Sequence, residues 1–262
     1  MTREIRKDIY GFEHKHGASV ITCRDYGSRM MHLDSPTSDI DARLLFVQRP
    51  ELYATVGQHT DVCSFIRGDV DYTAWNIDHF AELLADSNPA AIEFINSPLI
   101  YFDHSSLVGS MRTLRTAVNK HFDRTTLYRH YIELARSNYT RYIHRPEHFD
   151  TDISIKRYLL IMRNIMNAQY IKSTDMVPEL HFGALANEYA HRFMGPFVEE
   201  PDRLLYLIER RRTGDERYEV IENYFKPYIE HQLSVEWEHP HTSRIPDDTI
   251  DWFVTQALHK AL

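Results

Sequence analysis

The amino-acid sequence predicts an α+β protein, with a strand-and-helix half over residues 1–100 and an all-helical half over residues 101–262. Two observations carry this. Short apolar runs bounded by turn residues fall within the first hundred residues. Beyond them, apolar residues recur at helical spacing. No repeat and no low-complexity linker separates the halves, so the boundary is a change of period alone.

Taken in order, residues 1–17 have no clean period and read as a helix or loop packed on the first strand, Ala18 to Cys23. Ser28 to Leu33 reads as a short turn of helix. Asp34-Ser35-Pro36-Thr37-Ser38 is a loop, because Pro36 disfavours helix at Ser35 and small polar residues suit turns. Asp39 to Val47 is the second strand, broken by Arg49-Pro50, with a short helix at Pro50 to Tyr53. Val62 to Ile66 and Asp69 to Thr73 form a hairpin about Arg67-Gly68. Trp75 to Ala85 turns helical through Ile77, Phe80, Leu83 and Leu84. Asn88-Pro89 opens another helix, with Asn as cap and Pro in the first turn, and Ser97-Pro98 ends it. In the second half, Ser105 to His121, Thr126 to Ile143, Asp152 to Ile171, Leu204 to Arg212, Tyr218 to Val235 and Asp248 to Leu262 are helices. Pro178, Pro196 and Pro201 punctuate the stretch between the third and fourth of these.

Composition narrows the function classes. The chain of 262 residues is 43% hydrophobic and 26% charged, ordinary for a soluble globular protein. No run approaches the length of a membrane span, and the N-terminus has no signal-peptide pattern. The two cysteines, Cys23 and Cys63, sit in apolar runs, which fits a reducing, cytoplasmic setting. A net charge of -8 argues against nucleic-acid binding by bulk attraction and leaves a local basic patch as the route. Most of the 16 histidines are expected on the surface.

The chemistry concentrates in Gly27 to Arg43. A Gly-Ser turn opening a helix offers N–H groups and a positive dipole end to a triphosphate, with Arg29 as a charged donor. Asp39 and Asp41 alternate on a strand and so share a side, about 6.5–7 Å apart along the chain, with Arg43 behind them. The other side, Ile40, Ala42, Leu44 and Phe46, is apolar. Two carboxylates aimed at one point can hold a pair of hard cations about 3.5–4 Å apart, the arrangement used for in-line phosphoryl displacement. A third carboxylate is expected from the hairpin: Asp71, with Asp69 on the same face as the alternative.

Gly-Ser, a spacer of about ten residues and Asp-x-Asp together resemble the signature of the DNA polymerase beta-like nucleotidyltransferases. More specifically, the sequence is similar to their RNA-repair-pathway branch over most of its length. The resemblance rests on Gly27-Ser28-Arg29, Leu33 to Asp41 and Arg43; on Asp71 and Trp75; on Asn88-Pro89, Glu93 and Ser97-Pro98-Leu99-Ile100-Tyr101; and on the helical blocks Leu134 to Tyr139 and Lys156 to Arg163. It departs from the family pattern at Met30-Met31-His32, where a small residue is usual, and at His79, where a Lys is frequent.

The resemblance implies a minimal polymerase beta-like mixed sheet with flanking helices, followed by a helical domain. It implies template-independent transfer of NMP from an NTP to an acceptor hydroxyl, an RNA end by the family's name, with two Mg²⁺ or Mn²⁺ ions on Asp39, Asp41 and Asp71. Gly27, Ser28, Arg29 and Arg43 would then bind the nucleotide. So would Arg136, Tyr139, Lys156 and Arg163 of the helical half, where Tyr can stack on a base and Arg grip phosphate. The alternatives are nucleotidylation of a protein or small molecule, and a catalytically silent relative that binds nucleotide or RNA. Arg210-Arg211-Arg212 is a candidate RNA-backbone patch, and His239 and His241 with Glu236 and Glu238 a weaker zinc pattern.

Overall fold

The computed structural model describes residues 2–55, 59–143, 155–214 and 224–260. In chain order they form α1 (Thr2–His16), β1 (Ala18–Asp25), β2 (Ile40–Gln48), α2 (Pro50–Tyr53), β3 (Val62–Arg67), β4 (Val70–Asn76), α3 (Ile77–Ala85), α4 (Pro89–Asn96) and β5 (Ile100–Asp103). Then follow a 3-10 turn (Ser105–Leu107), α5 (Val108–His121), α6 (Arg124–Tyr142), α7 (Ile155–Thr174), α8 (Phe182–Met194), α9 (Arg203–Thr213), α10 (Lys226–Ser234) and α11 (Asp247–Lys260). The predicted starts of two helices, at Asp152 and Tyr218, and the predicted end at Leu262 lie outside the described residues.

The chain divides into two compact units, one of residues 1–30, 39–123 and 243–262, the other of residues 31–38 and 124–242. They part elsewhere than at residue 100. α5 packs on α4, and α11 returns from the end of the chain to pack on α3 and α5, so apolar stripes far apart in sequence share one core.

The first unit is built on a five-stranded mixed sheet of order β3-β4-β2-β1-β5, in which β2 and β4 are parallel and the other pairs antiparallel. α1 buries Ile5, Ile9 and Phe12, spaced i, i+4, i+7, against Val20, Cys23, Ala42, Leu44, Phe46, Tyr72 and Ala74. This is the apolar side expected of the second strand, and it leaves the odd-numbered residues of β2 on the other side. There α3 contributes Phe80, which stacks on Trp75. Gly17 stops α1 with φ +57, a conformation that suits a residue without Cβ.

The second unit is helical. α6 and α7 pack side by side, and their core of Ala135, Tyr139, Tyr158, Leu159 and Met162 continues into α8, α9 and α10. Leu33, fully buried, belongs to this core, so the segment 31–38 serves the helical unit although it interrupts the sheet unit in sequence. No helix among the described residues is long and apolar enough to cross a membrane.

Four expectations are corrected. Residues 28–32 form turns and no helix. Trp75 belongs to β4, and α3 starts two residues later, where Asn76 Oδ1 accepts from Ile77 N. β5 is a strand beyond the point where strand signals end, formed because β1 offers it an open edge. α8 occupies the proline-punctuated stretch; its N-cap is His181, a residue outside the usual capping set.

Candidate active site

The Gly-Ser turn is held by a residue that sequence reasoning passed over. Asp25, the last residue of β1, is fully buried. Its Oδ1 accepts from Gly27 N and Met30 N, each at 3.1 Å, and its Oδ2 accepts from Tyr101 OH at 2.7 Å. Its carbonyl accepts from Ser97 Oγ at 2.7 Å, and its N–H donates to Leu99 O at 2.9 Å. Thus the Ser97 to Tyr101 block, read in sequence only as a resemblance, is the clamp on the turn. Burial, then the bond to Asp25, raises the Tyr101 phenol well above its ordinary value, so it stays a donor. The sequence signal was Asp two residues before Gly, the local Asx pattern.

Gly27 touches Asp41. A Cβ built on Gly27 would lie 1.9 Å from Asp41 Oδ2, so no larger residue fits beside this carboxylate. Tyr26 N donates to Asp41 O at 2.8 Å, which ties the turn to β2. On the neighbouring parallel strand Asp71 sits in register with Asp41, and Thr73 with Arg43. Partners in register point to the same side of a sheet, so Asp41 and Asp71 form one edge of a site. Asp39 precedes β2 and is exposed, as is Asp71. The carboxylate oxygens of Asp39, Asp41 and Asp71 do not all fall within 4.8 Å of one another. Asp69 lies in the turn before β4, where its carbonyl accepts from Ile40 N at 3.3 Å.

Arg43 is clamped between two rings. Its guanidinium carbon lies 3.4 Å from the Tyr26 centroid and 3.9 Å from that of Trp75. Burial lowers its pKa, while Tyr26, Glu93 and Asp41 favour the charged form. Its Nε and Nη1, and Nε of Arg29, are buried with no hydrogen bond. Trp75 is fixed in turn by Phe94, edge-on at 5.8 Å, and His79 meets the Trp75 ring at 6.0 Å.

The helical candidates sit in the second unit and are largely engaged there. Arg136 pairs with Glu133 and donates to Leu233 O at 2.8 Å. Tyr139 OH donates to Glu230 at 3.1 Å, and burial with this bond pushes its pKa up to about 12. Arg163 is buried in α7, while Lys156 is exposed. The Arg210 to Arg212 run is not an open patch: Arg210 and Arg211 are buried, and Arg212 pairs with Glu209. Arg211 donates to Leu33 O and Ser38 Oγ, which holds segment 31–38.

Met30 to His32 is accounted for by packing. Met30 is buried, Met31 packs on the helical core, and its carbonyl accepts from Phe182 N at 3.1 Å. His32 adopts φ +55 and stacks on His181 at 3.9 Å. His181 Nδ1 accepts from Ala184 N at 3.0 Å and so caps α8.

One group of potential ligands carries no sequence motif. His59 Nδ1 lies 3.2 Å from Asp61 and Nε2 2.9 Å from Asp78, where β3 and α3 begin. Among the described residues it is the one His/acid group whose ligand atoms all fall within 4.8 Å. His239 contacts Asp175 and the His241 carbonyl, and is thereby a loop residue.

A family model described as RNA repair pathway DNA polymerase beta family matches residues 1–256. The chain belongs to this family. An uncharacterized protein of Bacillus subtilis (strain 168), YcgL, is similar at 28% identity over 239 residues, 88% of this chain and 86% of its own length. A crystal structure of a nucleotidyltransferase-like protein from Exiguobacterium sibiricum 255-15 covers 98% of this chain and 77% of its own, at 11% identity and a TM-score of 0.30. Membership of the RNA repair pathway DNA polymerase beta family and the mixed sheet with its flanking helices agree on a polymerase beta-like nucleotidyltransferase class.

Proposed function

We propose that the protein is a template-independent nucleotidyltransferase that moves NMP from an NTP to an acceptor hydroxyl, with an RNA end as acceptor. The reading is carried by Asp41, seated against Gly27 and in parallel register with Asp71. Oxygen-only donors open to solvent fit hard divalent cations such as Mg²⁺ or Mn²⁺. Such ions, when bound, neutralise charge on the phosphates and lower the pKa of the attacking hydroxyl. Asp39, Asp41 and Asp71 would hold them, and Asp71 takes the proton from the acceptor oxygen as that oxygen bonds to the α-phosphorus. The bond from the α-phosphorus to the bridging oxygen breaks, and pyrophosphate leaves. The turn at Gly27-Ser28 and the side chains of Arg29 and Arg43 bind the phosphates. Arg43, held between Tyr26 and Trp75, presents its charge with little entropy left to lose. Catalysis is thereby assigned to residues within 1–100. In the helical unit Lys156 is exposed, while Arg136, Tyr139 and Arg163 are engaged within that unit.

The test is transfer of label from each α-³²P NTP to total RNA or to lysate protein. Asp41→Asn should abolish transfer, Asp71→Asn should come close, and Asp69→Asn should retain it. Full activity in Asp41→Asn would sink the reading. Label in the protein fraction alone would make the acceptor a protein, which the net charge of -8 favours.

A further inference from the structure

On the α1 side of the sheet, α1 and β3 enclose a groove of about 400 Å³. Lys7, Lys15 and Arg67 line it. All three are exposed, and none forms an ion pair with a described residue. Some surface cations elsewhere are paired, as in Arg129–Glu238, Arg136–Glu133, Arg212–Glu209 and Arg244–Asp247; what sets these three apart is that they line one hollow. The carboxylate in the groove, Asp8, accepts from Tyr72 OH at 2.9 Å and so is partly engaged by the sheet. On a chain with 38 acidic and 30 basic residues, three unpaired cations around one hollow make a local positive field.

The hollow also has an aromatic wall. Phe65, half-buried, stacks on Tyr72 at 4.7 Å and on Phe12 at 5.7 Å. Gly11 stands in the middle of α1, where glycine costs about 1 kcal/mol relative to alanine. A Cβ there would meet nothing within 4 Å, so its absence keeps the groove open and relieves no clash. β3 is the edge of the sheet, so the groove is open along one side and its rim offers unpaired backbone N–H groups.

We propose that this groove binds single-stranded RNA, with phosphates on Lys7, Lys15 and Arg67 and a base against Phe65. Cations along a groove beside an aromatic face are what a sequence-tolerant single-strand site requires. Binding stands on the groove alone; the role of that RNA as acceptor rests on the transfer reading above.

The experiment is fluorescence anisotropy of a fluorescein-labelled 12-nucleotide single-stranded RNA with the full chain, between 50 and 200 mM KCl. Three phosphate contacts give a log–log salt slope of about -2, or roughly 20-fold weaker binding over that range. Lys7→Gln/Lys15→Gln/Arg67→Gln should remove most of the slope and weaken binding at least about 10-fold at 50 mM. Gly11→Leu should raise the thermal midpoint and still weaken binding, which a folding defect would not do. Asp41→Asn should bind RNA like the wild type while transferring no label, so loss of transfer and loss of RNA binding are read separately. Wild-type affinity and slope in the triple variant would overturn the proposal. So would binding of phosphatidylserine vesicles, and not RNA, that depends on the same three residues.

Discussion

At the scale of single residues the site turns on an atom that is not there. Gly27 has no Cβ, and Asp41 Oδ2 occupies the space where one would be. Gly27→Ala should therefore displace either the turn or the carboxylate. Overpacking of this kind costs about 1–3 kcal/mol of stability, and a misplacement of about 1 Å costs about 10²-fold in rate. The expected outcome is a folded protein with near-wild-type circular dichroism whose transfer rate falls at least that far. A fall in stability with unchanged rate would mean that the turn moves and the carboxylate stays. The choice between Asp69 and Asp71, which share a face by periodicity, belongs here too. Strand register resolves it in position: Asp71 stands opposite Asp41, and Asp69 lies in the preceding turn.

At the scale of elements, two side-chain links act, one within each unit. Tyr101 of β5 donates to Asp25, and Tyr101→Phe would leave a buried carboxylate oxygen one donor short. Losing a bond to a charged group costs about 2 kcal/mol, seen as a lower denaturation midpoint, with catalysis falling as the turn loosens. The other link is the His32–His181 stack. Burial first, then the neighbouring His181, holds His32 below its ordinary value of 6.5, against the opposing pull of Asp34 and Glu179. The unfolded chain then binds more protons than the fold, so stability rises with pH. The contribution is complete above pH 6.5 and is lost as pH falls below it through the depressed value. Thermal midpoints at pH 7.5 and 5.5 should drop further in the wild type than in His32→Asn, since Asn also tolerates the left-handed backbone.

At the scale of the whole molecule, the chain's last helix completes its first core. α11 buries Ile250, Phe253 and Ala257 in the sheet unit. Phe253→Ala should cost about 3–5 kcal/mol, lowering the thermal midpoint by roughly 10 °C. A shift under about 2 °C would show that α11 is an accessory to the sheet. Segment 31–38 does the reverse, lending Leu33 to the helical core.

The sequence by itself determined the alternation that puts Asp41 and Arg43 opposite an apolar face, the caps at Asn88-Pro89, most helices of the second half and the family. These follow from local periods and spacings that one stretch of chain can carry. Tertiary structure decided the rest. The parallel pairing of β2 with β4 set Asp71 in register with Asp41. Pairing with an open edge made Ile100–Asp103 a strand, and Asp25 turned an expected helix at Ser28 into a turn held by side-chain bonds. Burial decided that Arg210 and Arg211 build the fold, while Lys7, Lys15 and Arg67 stay open around one groove. Each of these depends on which distant residues meet, because a buried cation finds its partners, and an edge strand its ladder, only once the chain has folded.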